Sequence, residues 1–397
     1  MRLPVLFAVY VVATSAAIGM QPAIVRFHKE RQERKPVNSE AALESAPGRH
    51  PLTAAVEQPP ICVGGDGREF YKGGDLYVGN VEGERRSFIP DAAAEYCAVG
   101  DDGTLYLVGS SDKEYWLRAY SGSGELKWTS RTDEIRSPLA VARDGTIYLI
   151  SMPRRGSTSL TAYGADGTTR WNVKLGGLEW NPVPPAIGPD GTVYVYSGVQ
   201  SAPEIVAINP QGEKLWSASL PAMVKKLVVA PSGTVLADVP AGHLFAFDPR
   251  GHQLWNFYWN GSSNDGLAVA EDGTIYFVSR FVFALDNLGK PKWTFKSEQT
   301  YTQGDRFEEN PVIAADGTVY AASFNHSMYA ITPGGRKKWV SVSSEPGSTN
   351  DIMLSSHGYL HILRIRTAWF AVSSGLATHG WPSPGHDARN TRSQESP

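Results

Sequence analysis

An all-β fold made by repeating one four-stranded antiparallel unit is what this 397-residue sequence predicts, on three observations. Gly and Pro, at 40 and 27 residues, punctuate the backbone more densely than long helices tolerate. Aromatics are abundant, with 11 Trp, 17 Tyr and 14 Phe, and these types favour half-buried pleated surfaces. Above all, one short pattern recurs along the chain at intervals of 36 to 46 residues.

The first part of the pattern is a turn triplet: Asp102-Gly103-Thr104, Asp144-Gly145-Thr146, Asp190-Gly191-Thr192, Ser232-Gly233-Thr234, Asp272-Gly273-Thr274 and Asp316-Gly317-Thr318. Degenerate copies stand at Asp66-Gly67-Arg68 and His357-Gly358-Tyr359. The second part is Ala, then Gly five residues on, then Trp four after that. It occurs six times, ending at Trp128, Trp171, Trp216, Trp255, Trp293 and Trp339. In the first copy Val78 takes the Ala place and Ser87 the Trp place, with Phe88 beside it; in the last, Ala371 leads to Gly380 and Trp381.

Asp-Gly between alternating apolar residues predicts a hairpin, with type I′ turns as the expected geometry. Two tight hairpins per repeat make four antiparallel strands. A closed ring of such sheets leaves only short, protected edges. The prediction is therefore an eight-bladed propeller over residues 58–390, seven blades being the alternative that discards the first copy. The six repeat Trp residues are expected to wedge between neighbouring blades, with the small Ala placed where strands crowd.

Outside the ring the chain divides into residues 1–20, 21–57 and a 391–397 tail. Leu3 to Met20 is an apolar run behind Arg2, the pattern of a secretory signal or an N-terminal anchor. Residues 21–57 mix charge and Pro without periodicity and are expected to be a flexible tether. Cys62 and Cys97 form no Cys-x-x-Cys motif. They precede their turn Gly residues by five and six positions, which directs them to opposite faces of their strands. That parity favours two buried thiols over a disulfide. At 42 % hydrophobic and 19 % charged, the composition excludes a disordered chain, and a formal charge of −3 lacks the basic footprint of a nucleic-acid binder.

The Gly-Thr-Ile/Val-Tyr strand followed by Ala, Gly and Trp resembles the pyrroloquinoline-quinone-type (PQQ-like) propeller repeat. The closing stretch Trp381-Pro382 through His386-Asp387 to Thr391 resembles a segment of exported members of that group. The resemblance implies an eight-bladed ring and an envelope or secreted address. It does not imply the cofactor: quinoprotein dehydrogenases carry an adjacent Cys-Cys pair, whereas Cys62 and Cys97 lie far apart, and no catalytic Asp or calcium ligand set maps onto this sequence. The repeat and blade number are also similar to the non-catalytic propeller lipoprotein of outer-membrane assembly, although no lipidated Cys follows the apolar run.

Chain direction places the tight Asp-Gly turns at one end of the blades and the longer connections, such as 109–116 and 257–265, at the other. Binding residues concentrate on such loops. Aromatic and charged residues that the repeat does not require stand there: Trp116, Arg136, Trp180, Tyr258, Trp259, Asp265, Arg306 and Glu309. They predict a protein or peptide partner, and no catalytic or metal constellation accompanies them. The resulting expectation is an exported, monomeric, non-enzymatic propeller that binds a protein or peptide in the cell envelope, without nucleic acid or cofactor. The membrane tether would run through residues 3–20. The alternatives are an oxidoreductase holding PQQ with calcium, or a carbohydrate-binding propeller.

Overall fold

Each Asp-Gly-Thr step closes a hairpin between the first and second strands of a sheet. At the first full copy, the Gly100 carbonyl accepts from Gly103 N–H at 3.0 Å, and Gly100 N–H donates to Thr104 O at 2.9 Å. Gly103 has φ of 76°, and the Asp before it is absent from the positive-φ residues. This is a type I turn continued by a Gly bulge rather than the type I′ turn expected, because only the Gly leaves ordinary helical space. The two-residue turn with both φ values positive is instead Asp112-Lys113, at 50° and 67°. It joins Leu105–Ser111 to Glu114–Tyr120, so the connection expected across 109–116 is strand on both sides.

The structure, a computed structural model, describes residues 49–51, 60–63, 68–73, 75–79, 85–135, 137–152, 157–176, 183–198, 202–240, 242–259, 266–297, 306–323, 327–342, 352–354, 359–362 and 368–372. All of them belong to the compact unit Ser39–Pro397. Among the described residues strands are the only regular elements, and they form eight antiparallel sheets, seven of four strands and one of five. In chain order the first seven sheets occupy 60–89, 94–132, 134–174, 186–219, 226–258, 266–295 and 307–342. The third is five-stranded because its first strand is split into Glu134–Ile135 and Ala140–Val141. The protein is an all-β propeller.

The eighth sheet takes three strands from the end of the chain, Ile352–Leu354, Tyr359–Ile362 and Ala368–Ala371. Its outer strand comes from the beginning: Arg49–Pro51 pairs with the last of these, Arg49 opposite Phe370. A strand therefore lies inside the stretch expected as tether, and it closes the ring by joining the two ends of the propeller. The expected signal or anchor at 1–20 and the tail at 391–397 lie outside the described residues.

The core is a series of clusters between consecutive sheets. One holds Ala268, Tyr276 and Ala284 of the sixth sheet against Ile313, Val319 and Tyr329 of the seventh. The repeat residues form a row across each sheet. Tyr276, Ala284 and Trp293 stand in register on three adjacent strands, and the small Ala lets the outer rings meet at 5.7 Å between centroids. The same Tyr–Trp contact recurs in the second, third, fourth and seventh sheets.

From that row the Trp reaches into the next sheet. Trp128, Trp171, Trp216, Trp255 and Trp293 donate Nε1–H to the carbonyls of Ala165, Pro210, Pro249, Asn287 and Pro333 at 2.8–3.0 Å. Each acceptor sits two residues before the repeat Gly of the following sheet's second hairpin. That Gly lies flat against the indole: a Cβ on Gly251 would come within 2.6 Å of Trp216.

The first interface lacks the Trp and divides its work between two residues. Phe88 supplies the ring, 3.3 Å from where a Gly124 Cβ would sit. Arg68 stacks over Phe88 at 5.8 Å, and its Nη1 donates to Gly122 O at 2.5 Å, the carbonyl two before that Gly. Cys62 and Cys97 add a disulfide between the first strands of these two sheets. The expectation of two thiols is thus corrected. Opposite faces of two strands are the faces that consecutive blades turn towards each other, so the parity that argued against a bridge is the one that permits it.

Two expectations follow. Gly251→Ala and Gly273→Ala both force an L residue to a φ near 80°, but a Cβ on Gly273 meets nothing nearer than 3.7 Å. Gly251→Ala should therefore cost about 1–3 kcal/mol more, read as a larger drop in the denaturation midpoint; equal losses would contradict the indole contact. Replacing Cys62 and Cys97 together by Ala should cost about 2–4 kcal/mol, and the denatured wild-type chain should show no free thiol until reduced.

Candidate functional site

The two ends of the sheets differ in chemistry. At the turn end the repeat consumes its own polar groups. Asp272 accepts from the Thr274 N–H and hydroxyl, both at 2.8 Å, while Lys292 reaches Thr274 Oγ1 at 2.7 Å and Asp272 at 3.6 Å. Burial opposes the Asp272 charge most strongly, yet the hydrogen bonds from Thr274 and the Lys292 ammonium outweigh it and hold the carboxyl below its ordinary 3.8. Asp102, Asp144 and Asp316 are lowered by the same balance, with Lys127, Arg170 and Lys338 as the cations. Burial pushes the neighbouring Tyr106, Tyr148 and Tyr276 up to about 12. The Asp102, Asp144 and Asp272 carboxylates are well exposed, so their ion pairs contribute little to stability, whereas Asp316–Lys338 is more enclosed.

At the opposite, loop end the side chains depart from the repeat. Asp238 occupies a place where five other blades put Val108, Ile150, Tyr196, Val278 and Ala322, and where the first blade has an exposed Lys72. It is 4 % exposed and stands directly across the ladder from Lys226. Lys226 Nζ donates to Asn310 Oδ1 on the first strand of the seventh sheet. The Leu267 N–H of the sixth sheet approaches the same oxygen at 3.5 Å. One polar bridge thus spans three inner strands on the loop end. A charge at a buried apolar place is the sequence signal that finds Asp238; the Lys226–Asn310 link has none, because 84 residues separate the two.

Of the residues expected to bind, Tyr258 is 55 % exposed and packs on His243 with centroids 4.7 Å apart. Trp259 is buried, 4.6 Å from Phe277, in a cluster with Phe257 and Phe283 between the fifth and sixth sheets. Trp116 is buried too, laid over Gly109 between the first two sheets, with Arg118 stacked 4.0 Å above its ring. Both indoles lie between sheets rather than as open plates. Their Nε1 atoms, and Arg118 Nε, are buried donors without a hydrogen-bond partner among the described residues. Arg306 is exposed just before Phe307–Ile313. Glu309 lies within that strand, its side chain outside the described residues, as are Arg136, Trp180 and Asp265 altogether. The structure therefore brings Tyr258 and Trp259 together and separates both from Trp116. Among the described residues no group of three His, Cys, Asp or Glu side chains converges to hold a metal ion.

Lowered carboxyls of this kind stabilise the fold above the unfolded value near 3.9 and lose that contribution as pH falls through the lower folded value. Thr274→Val should raise the Asp272 pKa towards 3.8 in a carboxyl NMR titration and shift the acid limb of stability to higher pH. An unmoved Asp272 titration would contradict the cause assigned.

The comparisons agree with this architecture. No curated protein sequence matches the chain. Among solved structures, BamB from Moraxella catarrhalis is similar with a TM-score of 0.52 at 16 % identity, over 81 % of this chain and 96 % of that one. The C-terminal WD40 domain of Sif2 is similar with a TM-score of 0.62 at 14 % identity, over 84 % and 99 %. Virginiamycin B lyase from Staphylococcus aureus is similar with a TM-score of 0.50 at 11 % identity, over 70 % and 94 %. At these identities the likeness concerns the fold. The family model described as outer membrane protein assembly factor BamB matches residues 79–226 and 156–374, most of the propeller, and the chain belongs to that family of PQQ-like propeller repeats.

Proposed function

We propose that this protein is a non-enzymatic propeller that binds a protein or peptide partner in the cell envelope, using the loop end of its sheets. The observation that carries the reading is the contrast between the ends. Turn-end polar groups pair with one another in the second, third, sixth and seventh sheets, whereas Asp238, Lys226, Asn310, Trp259 and Tyr258 depart from the repeat at the loop end. Family membership supports protein binding, since the matching model is described as an assembly factor.

The exported address has two supports. Cys62 and Cys97 are joined in a buried disulfide, which persists in oxidising compartments. The run from Leu3 to Met20 behind Arg2 has the pattern of a secretory signal or anchor. The expected membrane tether at residues 3–20 and the monomeric state belong to the same proposal. A PQQ site of the quinoprotein dehydrogenase kind has no cysteine pair to use, because both cysteines bridge the first strands of two sheets.

Lysine cross-linking of the full chain in its native envelope fraction tests the reading. Cross-links from Lys225 or Lys226, at the loop end, to another polypeptide are expected. Links to other polypeptides from the turn-end Lys127, Lys292 and Lys338 alone would overturn the assigned face.

A further inference from the structure

We infer that the outer edge of the fifth sheet, Gln253–Tyr258, is a docking strand on which an extended, uncharged segment of the partner polypeptide adds as a further strand. The inference rests on the protein-binding reading above and names the partner's local chemistry.

Outer strands of sheets present unpaired main-chain groups, and proteins guard them with charge, Lys above all. The other outer strands here follow that rule. Arg85 and Arg86, Lys127 and Arg131, Arg170 and Lys174, Lys214, Lys292, Lys337 and Lys338, and Arg49 lie on the seven others among the described residues. Gln253–Tyr258, with the sequence Gln-Leu-Trp-Asn-Phe-Tyr, carries no charge at all. The missing guard is matched by a second change. In the second, third, sixth and seventh sheets the residue before the repeat Trp is a cation paired with the Asp of the turn. In the fifth sheet the cation is Leu254 and the Asp is Ser232, so both halves of the pair are replaced.

What stands in their place suits a strand. Leu254 is 51 % and Tyr258 55 % exposed, with exposed Asn256 between them, at the two-residue spacing of one strand face. The main chain is oriented for pairing. Trp259 N–H donates to Gly242 O at 3.0 Å, so the residues in step with Trp259 bond inward to the neighbouring strand. By alternation, the N–H and C=O groups of Asn256 and Tyr258 point outward. The edge is also held rigidly. His243 packs on Tyr258 at 4.7 Å and lies 3.2 Å from Asn256 Oδ1, while Phe257 on the other face meets the edges of Phe277 and Phe283.

A peptide with alternating apolar side chains satisfies such an edge: its main chain supplies the hydrogen bonds, and its alternate side chains meet Leu254 and Tyr258. A second copy of the ring fits less well. The flanking outer strands carry Lys214 and Lys292, which two rings meeting edge to edge bring together with like sign, whereas a single strand clears them.

The test is fluorescence anisotropy of the full chain with a labelled ten-residue peptide of alternating Thr and Val ending in Lys. Saturable binding is expected. Asn256→Pro, which removes an outward N–H that makes no ladder bond, should weaken binding at least tenfold, as should Leu254→Lys. Ser217→Pro, at the same register of the fourth sheet, should stay within twofold. Near-ultraviolet circular dichroism identifies any variant that has failed to fold, and Leu254→Lys, at an exposed position, stands in for Asn256→Pro should the latter fail. Absence of saturable binding, or equal losses in Asn256→Pro and Ser217→Pro, would overturn the proposal. A concentration-dependent dimer in sedimentation that Leu254→Lys abolishes would overturn it in favour of a second copy. Peptide failure alongside loop-end cross-links would sink this edge alone and leave the protein-binding reading standing.

Discussion

The interaction on which the rest of this ring depends is a hydrogen bond from an indole to a turn in the next sheet. Five Trp residues make it at nearly the same distance, and each also packs flat on a Gly that has no room for a Cβ. The bond fixes the angle between sheets, while the ring removes a large apolar area from water. It also explains the neighbouring residues. Ala in the middle strand lets Tyr and Trp touch across it, and Gly at positive φ both bends the hairpin and admits the indole. One local pattern thereby specifies the turn, the crowding inside a sheet and the contact between sheets.

The first interface shows which parts of that latch are necessary. Phe88 keeps the ring and loses the donor; Arg68, just ahead of the strand Glu69–Lys72, restores the donor and covers the ring. The disulfide between Cys62 and Cys97 adds a covalent tie at the same interface. This is also the blade next to the closing sheet, where a strand of only three residues, Arg49–Pro51, completes the ring. Covalent reinforcement thus stands at the first interface of the ring, one blade on from a closing pairing of only three residues.

Most of the architecture was legible because the information is local and periodic. The Asp-Gly-Thr and Ala/Gly/Trp spacings identify strands, turns and blade order without any long-range contact. What was not legible depends on distant partners. Arg49–Pro51 is too short to carry a pattern, and its partner Phe370 lies at the far end of the chain. The cysteine parity was read correctly within each strand and interpreted wrongly between sheets, since consecutive blades face each other with opposite sides. At the loop end, Tyr258 and Trp259 were visible as aromatics the repeat does not require, but burial of Trp116 and Trp259 between sheets follows only from packing. Asp238 was missed, although a charge at an apolar place of the repeat marks it; its neighbour Lys226 and the link from there to Asn310 follow only from the fold.

The latch occupies five carbonyls at the turn end, while the side chains that depart from the repeat stand at the loop end and along one outer edge. The measurement that tests this account most directly is hydrogen exchange of the indole N–H groups, resolved by nitrogen-15 NMR of the full chain. Trp128, Trp171, Trp216, Trp255 and Trp293 should exchange as one slow class, opening only with loss of the ring. Exchange of those five at solvent rates, with the fold intact, would contradict the latch as the interaction that holds the propeller together.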